Sequence, residues 1–175
     1  MKIYQHLIAS FLIILLSAPF AVAAEQDEED VYATVVVNPI FKLSVENSHI
    51  SFGFLKPGES VEVAQGTSYN HVTCTSNKGN KWYLKLQVTS DIMGPQPPIK
   101  PGDFKWKVFR TGGDGVAVDG WQPFTEEPSV AYTSGVNDTL GDVVKVYFQY
   151  RLDLPQTAIA GIYSANILYT MTDIL

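Results

Sequence analysis

Repeated alternation of apolar and polar residues constrains this chain more than any other feature. Phe41, Leu43 and Val45 alternate with Lys42, Ser44 and Glu46; Ile50, Phe52 and Phe54 alternate with Ser51 and Gly53. Trp82, Leu84, Leu86 and Val88 alternate with Tyr83, Lys85, Gln87 and Thr89. Phe104, Trp106 and Val108 oppose Lys105 and Lys107, and Val144 to Leu152 keeps the same beat against Lys145, Tyr147, Gln149 and Arg151. The last run sets Tyr163, Ala165, Ile167, Tyr169 and Met171 against Ser164, Asn166, Leu168, Thr170 and Thr172. A period of two places successive side chains on opposite faces of a strand, so each run predicts one buried and one wet face.

Turn chemistry separates the runs. Lys56-Pro57-Gly58-Glu59 suits a tight turn, with proline presetting φ and glycine accepting φ > 0. Asn77-Lys78-Gly79-Asn80 and Thr111-Gly112-Gly113-Asp114-Gly115 read as hairpin tips. Pro95, Pro97, Pro98 and Pro101 make residues 93–103 a stiff connection that is not a strand. Short strands without a helical period predict an all-β chain, an immunoglobulin-like antiparallel β-sandwich.

The first 24 residues read as an address. Lys2 precedes an apolar run over residues 7–16, and Ala21-Val22-Ala23-Ala24 follows Pro19. A basic start, a short apolar core and a small-residue end describe a secretory signal peptide cut after Ala23 or Ala24. The expected mature protein is secreted, to the periplasm or cell surface, with no membrane span of its own. Residues 25–30, Glu-Gln-Asp-Glu-Glu-Asp, carry five acids and nothing to bury, and read as a disordered spacer. Residues 31–175 then form a single β-sandwich domain.

Composition excludes several functions. Twelve Lys and Arg against 18 Asp and Glu give a net charge of −6, which argues against nucleic acid as a partner. No nucleophile elbow, phosphate loop, zinc cluster or dinucleotide fingerprint is present, so we expect neither catalysis nor a cofactor. Cys74 is in phase with Val72 and reads as a core residue, while His71 falls on the opposite face. His49 reads as solvated. Asp114, Asp119, Asn137, Asp138 and Asp142 gather in a turn-rich stretch; oxygen ligands from loops can hold calcium, but turns favour these residues anyway. Trp121, beside Gly120 and Gln122, is the candidate surface aromatic, able to stack on a sugar or a partner chain, whereas Trp82 and Trp106 read as core.

The two ends of the expected mature chain carry a resemblance. Val35-Val36-Val37-Asn38-Pro39-Ile40-Phe41-Lys42-Leu43 is followed by Ile50-Ser51-Phe52-Gly53-Phe54 and by Val72-Thr73-Cys74-Thr75. Near the far end stand Pro155-Gln156 and Ala160-Gly161-Ile162-Tyr163-Ser164-Ala165-Asn166-Ile167. This order resembles the spore coat protein U domain and the archaic chaperone–usher pilins, although its single cysteine departs from the pair usual there. The resemblance implies an incomplete sandwich whose groove is filled by the N-terminal segment of a neighbouring subunit. Other subunits, in a homo-polymer, and a periplasmic chaperone would then be its partners.

In this sequence the implied donor strand is residues 32–41, with Tyr32, Thr34, Val35, Val36, Val37 and Phe41. The implied acceptor is the terminal strand with Tyr163, Ala165, Ile167, Tyr169 and Met171. Two alternatives stay open at this point. Residues 32–41 can instead be the first strand of their own sandwich, and the protein can be a monomeric binding module that recognises carbohydrate through Trp121 and Trp106.

Overall fold

A computed structural model describes residues 33–63, 69–89, 94 and 99–175. The expected signal peptide (1–24), the acidic spacer (25–30) and Tyr32 lie outside the described residues. Contacts divide the chain into Met1–Val36 and Val37–Leu175. Of the first unit the structure describes residues 33–36, which are exposed and outside any strand.

The second unit is an all-β sandwich of two antiparallel sheets. Its strands are β1 (Phe41–Val45), β2 (Ser60–Val63), β3 (Asn70–Ser76), β4 (Tyr83–Val88), β5 (Phe104–Thr111), β6 (Val116–Ala117), β7 (Gln122–Pro123), β8 (Ser129–Thr133), β9 (Val143–Asp153) and β10 (Ile167–Thr172). Sheet I runs β1-β3-β9-β5-β7, and β2 lies against the far part of β9 in line with β3. Sheet II runs β10-β4-β8-β6. Every strand pair is antiparallel.

The alternation in the sequence becomes the two faces of these sheets. Val72 and Cys74 of β3, Val144, Val146, Phe148 and Tyr150 of β9, and Phe104 and Trp106 of β5 point into the core. Leu84, Leu86 and Val88 of β4 and Tyr132 of β8 meet them from sheet II, with Trp82 just ahead of β4. Full burial of such side chains contributes about 1.5–3 kcal/mol each before ordering costs are subtracted.

Three expectations change. Asn77-Lys78-Gly79-Asn80 and residues 111–115 are not hairpin tips, because each joins strands of different sheets: β3 to β4, and β5 to β6. Residues 50–54 form no strand. Gly53 adopts φ +74°, which breaks the extended backbone, so Ile50 and Phe52 stay half-buried against the core while Phe54 is exposed. The Lys56-Pro57-Gly58-Glu59 turn forms as read, with the Glu59 N–H donating to the Lys56 carbonyl (3.0 Å) and Gly58 at φ +83°.

Candidate functional site

Along one seam of the sandwich the edge strands β1 of sheet I and β10 of sheet II come together. β10 pairs with β4 from Ile167↔Val88 to Thr172↔Tyr83, and the Thr89 N–H donates to the Asn166 carbonyl (3.1 Å). In an antiparallel ladder, residues alternate between bonding inward to the partner and presenting their N–H and C=O outward. Asn166, Leu168, Thr170 and Thr172 therefore bond towards β4. Ile167, Tyr169 and Met171 present three N–H and three C=O groups to the free side, where no strand lies among the described residues.

The same three residues turn their side chains towards the core. From Tyr163 to Met171 half-buried residues (163, 165, 167, 169, 171) alternate with exposed ones. Across the seam, Phe41 and Leu43 of β1 and Ile50 and Phe52 of the following loop are likewise half-buried. An open backbone edge thus runs beside an incompletely covered apolar stripe, the combination that a further strand would satisfy. Regular pairing starts only at Ile167. Ahead of it, the Tyr163 hydroxyl donates to the Ile159 carbonyl (2.8 Å) and accepts from its N–H (3.1 Å), and its ring packs on Gly94. Tyr163 and Ala165 therefore lie in a lead-in to the expected terminal strand and not in the strand itself.

The floor of the seam is polar and ties the sheets together. The hydroxyls of Tyr150 on β9 and Tyr169 on β10 hydrogen-bond to each other. Burial, first of all, raises the pKa of both phenols, so both stay protonated. Close by, Asn70 locks the loop after β1, accepting from the Asn47 N–H (3.1 Å) and donating to its carbonyl (2.9 Å).

Asn77 decides where the N-terminal segment stops being part of the sheet. Its Oδ1 accepts from the Ile40 N–H (2.5 Å), its Nδ2 donates to the Asn38 carbonyl (2.9 Å), and its own N–H donates to the Ile40 carbonyl (3.2 Å). Lys78 lies over the Phe41 ring (4.6 Å) and pairs with Asp173 just past β10 (3.6 Å). Phe41 pairs with Ser76 as the first residue of β1, so this end of the expected donor belongs to the protein's own sheet. Val35, Val36 and Val37 are 74–85% exposed, and Thr34 is also exposed.

The remaining candidates separate. Cys74 is fully buried, and burial pushes its thiol up to about 12, the opposite of an activated nucleophile. His71 points to the other face and pairs with Glu46. His49 is exposed.

The acid-rich turns form a structural corner. Asp138, 2% exposed, accepts hydrogen bonds from the Tyr132 hydroxyl (2.6 Å) and from the N–H groups of Gly135 (2.8 Å), Gly115 and Asp114 (both 3.1 Å). Its carbonyl accepts from the Trp82 indole (3.1 Å). Asp114 in turn accepts from the Asn137 side chain (2.9 Å) and from backbone N–H groups. These carboxylates are occupied by the protein's own donors, and Asp119 accepts from the Gly120 N–H (2.8 Å). Asp142 is exposed. Among the described residues no group of three or more His, Cys, Asp or Glu is placed to hold a metal ion.

Trp106 is buried in the core, so it offers no surface to a sugar. Trp121 is half-buried with Lys107 over its ring (4.5 Å). Among the described residues no helix is long and apolar enough to cross a membrane. No family model, no curated protein and no solved structure matches this chain.

Proposed function

We propose that this protein is an exported, non-enzymatic structural subunit of the cell surface, pilin-like in assembly. The N-terminal segment ending at Val37 of one copy completes sheet II of the next copy along β10. A contact of this kind joins different surfaces head to tail and propagates as an open fibre. Before assembly, the same edge is the surface a periplasmic chaperone would cover.

One observation carries this reading: Ile167, Tyr169 and Met171 combine unpaired backbone with half-buried side chains at a seam of the sandwich. The length of the segment supports it. Seven residues such as 31–37 could span about 23 Å if fully extended, enough for the roughly 20 Å of a six-residue strand. Pro39 has no N–H to contribute, so it bounds the stretch that can pair continuously. Alternation within the segment puts Val31, Ala33, Val35 and Val37 on one face, towards the apolar stripe, with Tyr32, Thr34 and Val36 on the other.

Removal of residues 25–37 tests the proposal. The full mature protein is expected to run as a heat-labile ladder in detergent gels, and the truncated one as a soluble monomer. A truncated protein that assembles as before, or a full-length one that stays monomeric without any chaperone, contradicts it.

A further inference from the structure

The outward face of sheet I carries a second feature, independent of the seam and of the assembly reading. Strand alternation leaves Lys42 of β1, Lys105 and Lys107 of β5, and Lys145 and Arg151 of β9 on that face. Arg110 joins them through a register shift between Val108 and Arg110, which pairs Arg110 with Tyr147 and leaves Phe109 as the extra residue. Six of the chain's 12 lysines and arginines therefore share one face of a protein whose net charge is −6. Glu46, Glu62 and Asp153 are the acids that meet it, bound to His71, Arg151 and, for Asp153, to both Lys105 and Arg151. Among the described residues Lys42, Lys107, Arg110 and Lys145 make no ion pair.

Aromatic rings fill the middle of this basic face. Tyr147 lies 5.9 Å from Tyr69 and 6.0 Å from Phe109, which itself stands edge-on to Tyr69 at 5.8 Å. The Arg110 guanidinium stacks on Tyr147 at 3.8 Å, and Trp121 borders the face beneath Lys107. Phe109 is 41% exposed, so part of its ring is available to a ligand. Stacking holds the guanidinium flat while its N–H donors remain free to meet an anion.

We infer that this face, centred on Tyr147 between Lys145, Arg110 and Lys107, binds an anionic polysaccharide. The exposed part of the Phe109 ring suits the C–H-rich face of a sugar ring, and the unpaired cations, with Arg110 held on Tyr147, suit carboxylates or sulfates spaced along the polymer. An acidic peptide would use the cations and leave the rings idle. A single-stranded nucleic acid is also a polyanion with rings that can stack, and its binding is an outcome that the test below separates.

The test is binding of polygalacturonate to the mature protein at low salt, with dextran, polyglutamate and a single-stranded oligonucleotide as comparators. Polygalacturonate is expected to bind and the three comparators to bind at least about tenfold more weakly. Arg110→Ala with Lys145→Ala should cut the affinity by about tenfold, and Phe109→Ala by about fivefold, while Lys85→Ala on the other sheet changes nothing. Phe109 and Arg110 are exposed, so these variants keep the fold, which circular dichroism checks. Absence of polygalacturonate binding overturns the proposal. So does equal binding of polyglutamate or the oligonucleotide, or an equal loss on Lys85→Ala.

Discussion

The Asp138 corner and the β1–β10 seam are built from similar residues and end in opposite states. At the corner, a tyrosine hydroxyl, a carboxylate and the surrounding N–H groups are saturated by one another, and the Trp82 indole seals the arrangement from below. At the seam, tyrosine hydroxyls also bond to each other, but the backbone beside them stays open and the apolar side chains are half-covered. Buried polar groups left without partners cost free energy, and the corner has none to spare. The corner saturates its polar groups within the chain, whereas the outer side of β10 has no strand partner among the described residues.

The largest effect should come from breaking the finished region. Asp138→Ala leaves the Tyr132 hydroxyl and several N–H groups without their acceptor, and should lower unfolding free energy by about 3–4 kcal/mol in urea titrations. A loss under about 1 kcal/mol would mean the corner is not a structural hub. Asp138 also gives the comparison a pH dependence. Burial, the largest influence, raises its pKa, but the bonds from Tyr132, Gly135 and Asp114 outweigh this and hold it below the usual carboxylate range. A carboxyl with a lowered folded pKa adds stability that is complete above its unfolded value near 4 and is lost as pH falls through the folded value. Urea midpoints should therefore drop as pH falls below about 5, and Asp138→Asn should flatten part of that slope. For Asp153, burial would raise the pKa, but hydrogen bonds from Lys105 and Arg151 outweigh it and hold the carboxyl low, so it adds to the slope in the same direction.

Smaller effects should separate the two faces of β10. Met171→Ala removes a half-buried side chain and should cost about 1–2 kcal/mol while impairing assembly. Leu168→Ser, on the exposed face of the same strand, should change stability by less than about 0.5 kcal/mol and leave assembly intact. Equal assembly defects in both variants would argue against an inward-facing stripe as the docking surface.

How much of this was legible before the structure depends on what periodicity encodes. Alternation tells which residues share a face, and the inward sets of β3, β4, β5 and β9 follow from it residue by residue. It does not tell which strand pairs with which, so the connections after Ser76 and Thr111 read as hairpins although they cross between sheets. Nor does it locate a break in the beat. Gly53 turns the backbone and exposes Phe54, and the shift at Phe109 moves Arg110 from the inward phase of Trp106 and Val108 to the outward face. The placement of Arg110 over Tyr147 depends on that shift and left no sign in the spacing.

At the seam, the expected acceptor residues from Ile167 to Met171 do lie on an edge strand, because their alternation is regular to the end. The boundary of the N-terminal segment was not legible. Asn77, from 37 residues further along than Ile40, sets it through its side chain, and no local pattern marks that contact.

Amide hydrogen exchange on the protein lacking residues 25–37, with and without a peptide of residues 31–39, tests the open edge most directly. Fast exchange is expected at Ile167, Tyr169 and Met171 in the free protein, and strong slowing at these three amides when the peptide is added. Protection at those amides before any peptide is present, or no change on adding it, would rule out β10 as an open edge that accepts this segment.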